Sequence, residues 1–520
     1  MHLRPVIASV GLLAGSLVAL SGTTAQAATT RYEAETSPAV CAGAIESNWA
    51  GYSGSGFCNG DNATGGYAQF TVTASAAGTA TLEVRFANGT TSARAANLVV
   101  NGTTADTASF EGTGAWNTWA TKTLIVPLRS GSNTVRLAPT TSGGLPNIDY
   151  VDVETSGSDP QPTGPVLYVS PGGTDSAAGT ESNPTTLTSA ISRISAGGTI
   201  YVRGGTYRYS QTVTIPAGRN GTSGDRTELF AYPGETPVLN FSGQSEDPAN
   251  RGLAVNASYW HVKGLVVERA GDNGIFVGGS NNVIERTVTR FNRDSGLQLS
   301  RALSSTPKDQ WPSHNLILSA ESHDNVDSDG EDADGFAPKL TVGPGNVFRY
   351  TVAHHNIDDG YDLYTKTDTG PIGAVTVEDS LAYDNGTLSD GSQAGNGDRN
   401  GYKLGGEDIG VNHIVRRSIA YQNGKHGFTY NRNTGAMQIS DNVSVGNEQR
   451  NFNFDSGSTS VFRNNTSCDS GSNDRIIGDS DSSNQFWSGS NGSRCSSYAG
   501  ALRWSFASDG RLVVTFGGSR

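Results

Sequence analysis

Charge and sulfur are scarce in this chain. Asp, Glu, Lys and Arg together make up 16% of its 520 residues, against roughly 25% in an average soluble domain. There are 2 methionines and 4 cysteines, and none of the cysteines has the C-x₂-C spacing of a zinc site. Long apolar runs are missing too. The longest, Val6–Leu20, falls short of the roughly 20 residues that span a bilayer. Basic residues are outnumbered: 36 Lys+Arg against 49 Asp+Glu leave a formal charge of −13. That sign argues against a nucleic-acid partner, which needs its phosphates neutralised. Glycine, in contrast, is abundant at 67 residues, or about 13% against a usual 7%. So much glycine argues for tight turns and short strands, and against helical bundles.

Residues 1–27 read as a secretory signal, with Arg4 at the positive end, Val6–Leu20 as the apolar core and Ala25-Gln26-Ala27 as the cleavage site. A secreted, extracellular protein is expected, with no membrane anchor. Export makes disulfides plausible, and the cysteines fall into two local pairs, Cys41 with Cys58 and Cys468 with Cys495. The length allows two or three domains. Thr155–Pro165 is rich in Ser, Gly and Pro and reads as a linker. It separates residues 28–154 from a longer body, residues 166–520. The first body consists of short alternating runs such as Ala80–Phe86, Asn97–Val100, Thr121–Val126 and Thr134–Leu137, the pattern of a β-sandwich.

That first body resembles carbohydrate-binding module family 35. The motifs are Tyr32-Glu33-Ala34-Glu35, Arg85-Phe86-Ala87-Asn88-Gly89, Trp116-Asn117-Thr118-Trp119 and Asn147-Ile148-Asp149-Tyr150. The resemblance implies a structural calcium held by Glu33, Glu35 and Asp149, with Asp152 as a rival ligand. It also implies sugar binding through Trp116 and Asn147. A tryptophan in a sandwich more often belongs to the core, because large apolar rings are usually buried.

The longer body repeats a phrase: glycine, apolar residue, any residue, apolar residue. It occurs at Gly274, Gly296, Gly335, Gly360, Gly401 and Gly427 and degenerates at Asn451, in steps of 22, 39, 25, 41, 26 and 24 residues. This period with strand-like alternation predicts a parallel β-solenoid. Ile275, Leu297, Phe336, Tyr361, Tyr402, Phe428 and Phe452 should form one inward ladder. Val277, Leu299, Leu363, Leu404, Tyr430 and Phe454 should form another. Between them an outward column reads Phe276, Gln298, Ala337, Asp362, Lys403, Thr429, Asn453. The residue before each glycine gives a second column, in which Asp334 and Asp359 are adjacent and Asp358 stands beside them.

Asp334, Asp358, Asp359 and Asp362 thus converge within two coils. Two like charges about 5 Å apart at an effective dielectric near 20 repel by roughly 3 kcal/mol. A bound cation removes that repulsion, and calcium favours clustered carboxylate oxygens. Asp324, Asp327, Asp329, Glu331 and Asp332 read instead as turn residues in solvent. Lys403 is the outward neighbour of the acidic cluster, where a neutral lysine could act as a base. Arg399, nearby in an inserted loop, could bind a second carboxylate. His354, His355 and His426 offer other bases, although His354 and His355 read as turn residues.

Asp334-Gly335-Phe336, Asn356-Ile357-Asp358-Asp359-Gly360-Tyr361-Asp362-Leu363-Tyr364 and Asn400-Gly401-Tyr402-Lys403-Leu404-Gly405-Gly406 resemble the motifs of polysaccharide lyase family 9, the pectate lyases and exo-polygalacturonate lyases. The similarity runs from Val166 to about Asn464. It implies a right-handed parallel β-helix with calcium on Asp334, Asp358, Asp359 and Asp362, and Lys403 as the Brønsted base. The implied reaction is β-elimination on de-esterified homogalacturonan, the polygalacturonate of plant cell-wall pectin, at alkaline pH. Two alternatives remain. One is a β-helix glycoside hydrolase using Asp358 and Asp359; the other is a non-catalytic, calcium-stabilised carbohydrate-binding solenoid. Nothing in the sequence signals an oligomer, and a monomer is expected.

Overall fold

The computed structural model describes residues 29–74, 78–129, 131–155, 164–507 and 509–517. Residues 1–27, read as the signal, lie outside them, as does most of the linker. No helix among the described residues is long and apolar enough to cross a membrane.

The first body is a sandwich of two antiparallel sheets. One runs in the order Gly43–Glu46, Phe57–Gly60, Asn147–Thr155, Gly78–Ala87, Ala120–Leu128, with Thr29–Glu33 also paired to Asn147–Thr155. The other runs Val40–Cys41, Ala68–Ala74, Gly131–Pro139, Arg94–Val100, Thr103–Phe110. Alternation decides the faces: Ala68, Phe70, Val72 and Ala74 are buried, while Gln69, Thr71 and Thr73 between them are more open. They pack with Leu82, Val84, Leu98 and Leu137 in one core. The Cys41–Cys58 disulfide joins a strand of each sheet across 17 residues, a loop closure worth about 3 kcal/mol.

The second body is an all-β right-handed solenoid, the parallel β-helix expected. It has three parallel sheets of 12, 10 and 10 strands, most of them three or four residues long. Each full coil gives one strand to each sheet, as in Trp260–Lys263, Val266–Glu268 and Ile275–Val277. The first inward ladder has the expected register: Ile275, Leu297, Phe336, Tyr361, Tyr402, Phe428 and Phe452 pair in succession. All seven are buried, and Tyr361, Tyr402 and Phe428 stack with centroids 4.6 Å apart. Helix Leu187–Arg193 turns Leu187, Ala190 and Ile191 into the start of this core. Its first turn is capped by Thr186, whose hydroxyl accepts from Ser189 N.

Two corners shape the coil. Between the first and second sheets the link is two residues long in eight successive coils, from Gly264-Leu265 to Asn464-Asn465. Its first residue is always left-handed, including the non-glycines Arg286, Ser319, Tyr350, Asp379, Arg417, Asp441 and Asn464. At roughly 1 kcal/mol or more each, these bends need support. The second residue supplies part of it by turning inward, and Leu265, Thr287, Ala320, Thr351, Ser380, Ser418, Asn442 and Asn465 are all buried. At the corner leading to the third sheet, buried amides form a rail. Asn292, Asn325, Asn356, Asn385 and Asn423 each donate Nδ2 to Oδ1 of the next, ending on Asn447, at 2.7–3.0 Å. The rail also explains the repeated glycine: a Cβ on Gly360 would come 2.8 Å from Asn385 Nδ2.

Three expectations need correction. Phe276 points outward yet is fully buried, because the Arg251 guanidinium lies 3.4 Å from its ring centre. His354 belongs to a strand of the second sheet, stacked between His323 and Tyr383. Asp324 is buried and bonded to His323 and to Ser389 N, where burial opposes ionisation but these donors outweigh it and hold its pKa near 2. The C-terminal residues also acquire a place. Cys468–Cys495 fastens the tail, and the hairpin Leu502–Phe506/Leu512–Phe516 covers the second sheet. Trp504 Nε1 donates to Tyr383 Oη at 3.0 Å, and Phe516 packs against Tyr421.

Candidate functional site

Two adjacent coils supply a chemically mixed strip. In the third sheet Asp362 is paired in register with Lys403. Because Tyr361 and Tyr402 point inward, alternation sends Asp362 and Lys403 outward. Asp334 and the Asp358-Asp359 pair enter from the corner just before their strands. Each of these three brings a carboxylate oxygen within 4.8 Å of the others. Asp362 stands beside that trio, with Oδ2 3.4 Å from Lys339 Nζ and 3.9 Å from Lys403 Nζ. Lys403 Nζ also lies 3.2 Å from Asp359 Oδ2 and 3.1 Å from Asp398 Oδ2. All four expected metal aspartates are buried.

Backbone and amide donors hold these acids from behind. Asp359 N donates to Asp334 Oδ1 at 3.2 Å, and Asn400 donates to Asp359 Oδ1 through N and Nδ2 at 2.6 and 2.9 Å. The amides of Asp398 and Arg399 both point at Asp358 Oδ1. In front, Asp359 Oδ2 and Asp362 Oδ1 are buried and accept no hydrogen bond. Burial first, then repulsion from neighbouring acids, raises the Asp334 and Asp358 carboxyls well above the carboxylate range, with Lys339 and Lys403 opposing. Burial pushes Asp359 up to about 6 despite Lys403. For Lys403, burial favours the neutral amine, but Asp362, Asp359, Asp358 and Asp334 outweigh it and hold the proton.

The donor set fits a divalent cation. Fully ionised, Asp334, Asp358, Asp359, Asp362 and Asp398 would carry two more charges than the ammonium groups of Lys339, Lys403 and Lys425, which pair with four of them. An oxygen-seeking dication such as calcium supplies both that charge and a partner for Asp362 Oδ1.

Two participants were missed in the sequence. Lys339 Nζ donates to Asp334 Oδ2 at 2.7 Å; extending the strand alternation two residues past Ala337 would have placed it on the strip. Asp398 sits in an inserted loop without periodicity, so no pattern pointed to it. Arg399 packs against Gly386 and Gly424 and approaches Glu448 at 3.8 Å. His426 is buried, and its pKa falls to about 4 through burial and then the charges of Lys425 and Arg450. The strip floors a cleft of about 480 Å³ whose walls include Asp332, Lys339, Tyr364, Lys366, Asp398 and Arg432.

The sandwich carries its own acidic group. Ser53 N donates to both Asp149 oxygens at 3.0 Å, Ser53 Oγ donates to Glu33 Oε1 at 2.7 Å, and Ser55 N donates to Glu35 Oε1 at 2.8 Å. Glu33 Oε2 and Glu35 Oε2 are buried without a hydrogen bond, so this set also suits a cation. Burial lifts Asp149 to about 6, against the pull of Ser53 N and Arg85. The rival Asp152 is engaged by Arg31, with two bonds of 2.7 Å. Trp116 is half-buried over Gly89, with Arg94 5.2 Å from its ring centre, and Asn147 is buried in its strand opposite Ala87.

Comparison with known proteins adds identity to this geometry. Residues 167–466 match the family model described as Pel9A-like, right handed beta helix region. Residues 34–155 match a second, described as carbohydrate binding module (family 6), where the sequence motifs resemble family 35. "Pectate lyase L" of Paenibacillus polymyxa is 54% identical over 323 residues, covering 62% of this chain and 72% of that protein. "Pectate disaccharide-lyase" of Dickeya chrysanthemi is 36% identical over 329 residues, covering 62% of this chain and 40% of that protein. The crystal structure of pectate lyase Pel9A superposes with a TM-score of 0.57 at 30% identity, over 68% of this chain and 87% of that one.

Proposed function

From the premise that the chain belongs to the Pel9A-like right-handed β-helix family and is a polysaccharide lyase with an N-terminal carbohydrate-binding module, we propose that it is a secreted, calcium-dependent pectate lyase. Its substrate on this reading is de-esterified homogalacturonan, cleaved by β-elimination. The observation that carries the reading is the register pairing of Asp362 with Lys403 next to the Asp334, Asp358, Asp359 trio. It puts one ammonium-bearing side chain on the rim of a built carboxylate site.

Asp334, Asp358, Asp359 and Asp362 would hold the calcium. When bound, the ion would supply Lewis acidity to a uronate carboxylate, making the neighbouring C5 hydrogen more acidic. Lys403, as the free amine, takes the C5 proton, and the glycosidic oxygen leaves from C4, giving a 4,5-unsaturated uronide. The four aspartates have a double effect on Lys403. Uncompensated, they hold its proton; a dication answering their charge would weaken that hold and leave burial to favour the amine. An alkaline optimum follows, because the amine fraction grows with pH. The hydrolase alternative gives Lys403 no task, and Asp358 and Asp359 share one cluster instead of flanking a cleft.

The family 35 resemblance supports uronic-acid binding by the sandwich, with calcium on Glu33, Glu35 and Asp149 and sugar contacts from Trp116 and Asn147. We place the units at 1–27 signal, 28–154 sandwich, 155–165 linker and 166–520 lyase. The test is the ultraviolet absorbance of conjugated product from polygalacturonate, with and without chelator. Calcium-dependent absorbance is expected; chain cleavage without absorbance would mean hydrolysis, and absence of cleavage would leave a binding protein.

A further inference from the structure

The cleft above the carboxylates has one aromatic ring in its lining, Tyr364. The other large rings of these coils, Phe336, Tyr361, Tyr402 and Phe428, are fully buried in the inward ladder. Tyr364 differs in that it is only partly covered and its position is built. Its ring lies over Gly406: a Cβ added there would come 2.3 Å from Cε2 and 2.4 Å from Cδ2, so only glycine permits the ring to lie so low. Its edge is tied by Oη donating to Glu407 Oε1 at 3.4 Å. Glu407 in turn is fixed by Thr367 N and Oγ1 at 2.6 and 2.8 Å. Lys403 Nζ stands 5.3 Å from the ring centre.

We propose that Tyr364 is a carbohydrate platform: the uronate next to the one that presents its C5 hydrogen to Lys403 lays its C–H face on this ring. The proposal rests on the lyase reading above and names a residue that positions the polymer for it. A pyranose ring has an apolar C–H face and hydroxyls at its edge, and a fixed aromatic ring in a polar cleft recognises that face while charged neighbours take the edge. Lys366, exposed in the same lining, is within the cleft to meet the carboxylate. A ring seated on glycine and tied at its rim loses little freedom when a sugar settles on it, so the contact is pre-organised.

The test uses the full chain with calcium on polygalacturonate, reading KM, kcat and the binding of a galacturonate oligomer. Tyr364→Ala should raise KM about tenfold with a smaller change in kcat. Tyr364→Phe, which keeps the ring and loses only the Glu407 bond, should stay within about twofold on the same reading. Gly406→Ala should reproduce the Tyr364→Ala defect by lifting the ring, and should add nothing when combined with Tyr364→Ala. Unchanged KM and oligomer binding in Tyr364→Ala would overturn the proposal, as would a Phe variant as damaged as the Ala variant. A calcium-dependent rise in Tm, measured for each variant, excludes loss of folding, and Tyr364→Leu replaces any variant that fails it. If the wild-type chain makes no unsaturated product, the lyase reading falls, while the oligomer-binding series still decides whether Tyr364 holds a sugar.

Discussion

The molecule builds an acidic nest in each of its two bodies, and the cations facing them differ in kind. In the sandwich, Asp149 faces Arg85 at 3.1 Å and Asp152 faces Arg31 at 2.7 Å. In the solenoid, Asp334 and Asp359 face Lys339 and Lys403 at 2.7 and 3.2 Å. A guanidinium never gives up its proton in a protein, whereas a buried ammonium does so when the charges around it change. Both nests leave buried carboxylate oxygens without a hydrogen bond and both suit a cation. On the proposed reading, the lysine nest is the one that moves a proton. The contrast teaches that an acidic cluster says where a metal fits, and the neighbouring base says whether chemistry follows.

The sharpest way to break this comparison is to make the solenoid resemble the sandwich. Lys403→Arg keeps the charge and should lower kcat on polygalacturonate by about 10³-fold, with the calcium-dependent Tm rise retained. Next comes Asp359→Asn. Removing one buried carboxylate should weaken calcium binding by at least about 100-fold while raising the Tm of the chelated protein, both readable by calorimetry. An unchanged calcium affinity would remove Asp359 from the donor set.

Acidification gives a third separation. The described sandwich contains no histidine, whereas His413 is fully buried in the solenoid, accepting Val375 N on Nδ1 at 3.1 Å. Burial lowers its pKa to about 3, from an ordinary 6.5. The unfolded chain therefore binds this proton first. The stability contribution is complete above pH 6.5 and is lost as pH falls toward 3, by up to a few kcal/mol. Melting of the solenoid should move down in that window, and His413→Gln should flatten its profile. The smallest effect on turnover comes from the other nest. Glu33→Gln with Glu35→Gln should leave kcat on soluble polygalacturonate within about twofold, yet reduce retention on insoluble pectin about tenfold.

Much of the site was legible because the solenoid turns sequence period into spatial neighbourhood. The steps between Gly335, Gly360 and Gly401 were enough to set Asp362 against Lys403, even with a loop of unknown course between them. What escaped was whatever the period does not govern. Asp398 comes from that loop, and Arg251 reaches over Phe276 from outside the strand pattern. The buried bonds of Asp324 depend on Ser389, 65 residues away. The asparagine rail is periodic and could have been found, but its residues follow the turns, where polar side chains are ordinarily assigned to solvent. The C-terminal hairpin was opaque for a different reason. Its task is to cover Tyr383 and Tyr421 on the second sheet's outer face, a partner its own sequence does not name.

The two-residue corner has a consequence for how such an enzyme can change. One margin of the coil keeps constant time, with a two-residue link in eight coils running. The opposite margin already absorbs long excursions between Tyr383 and Tyr402 and between His323 and Phe336. Groove walls there can grow or shrink, altering how many sugars are enclosed, while the rungs beneath keep their beat.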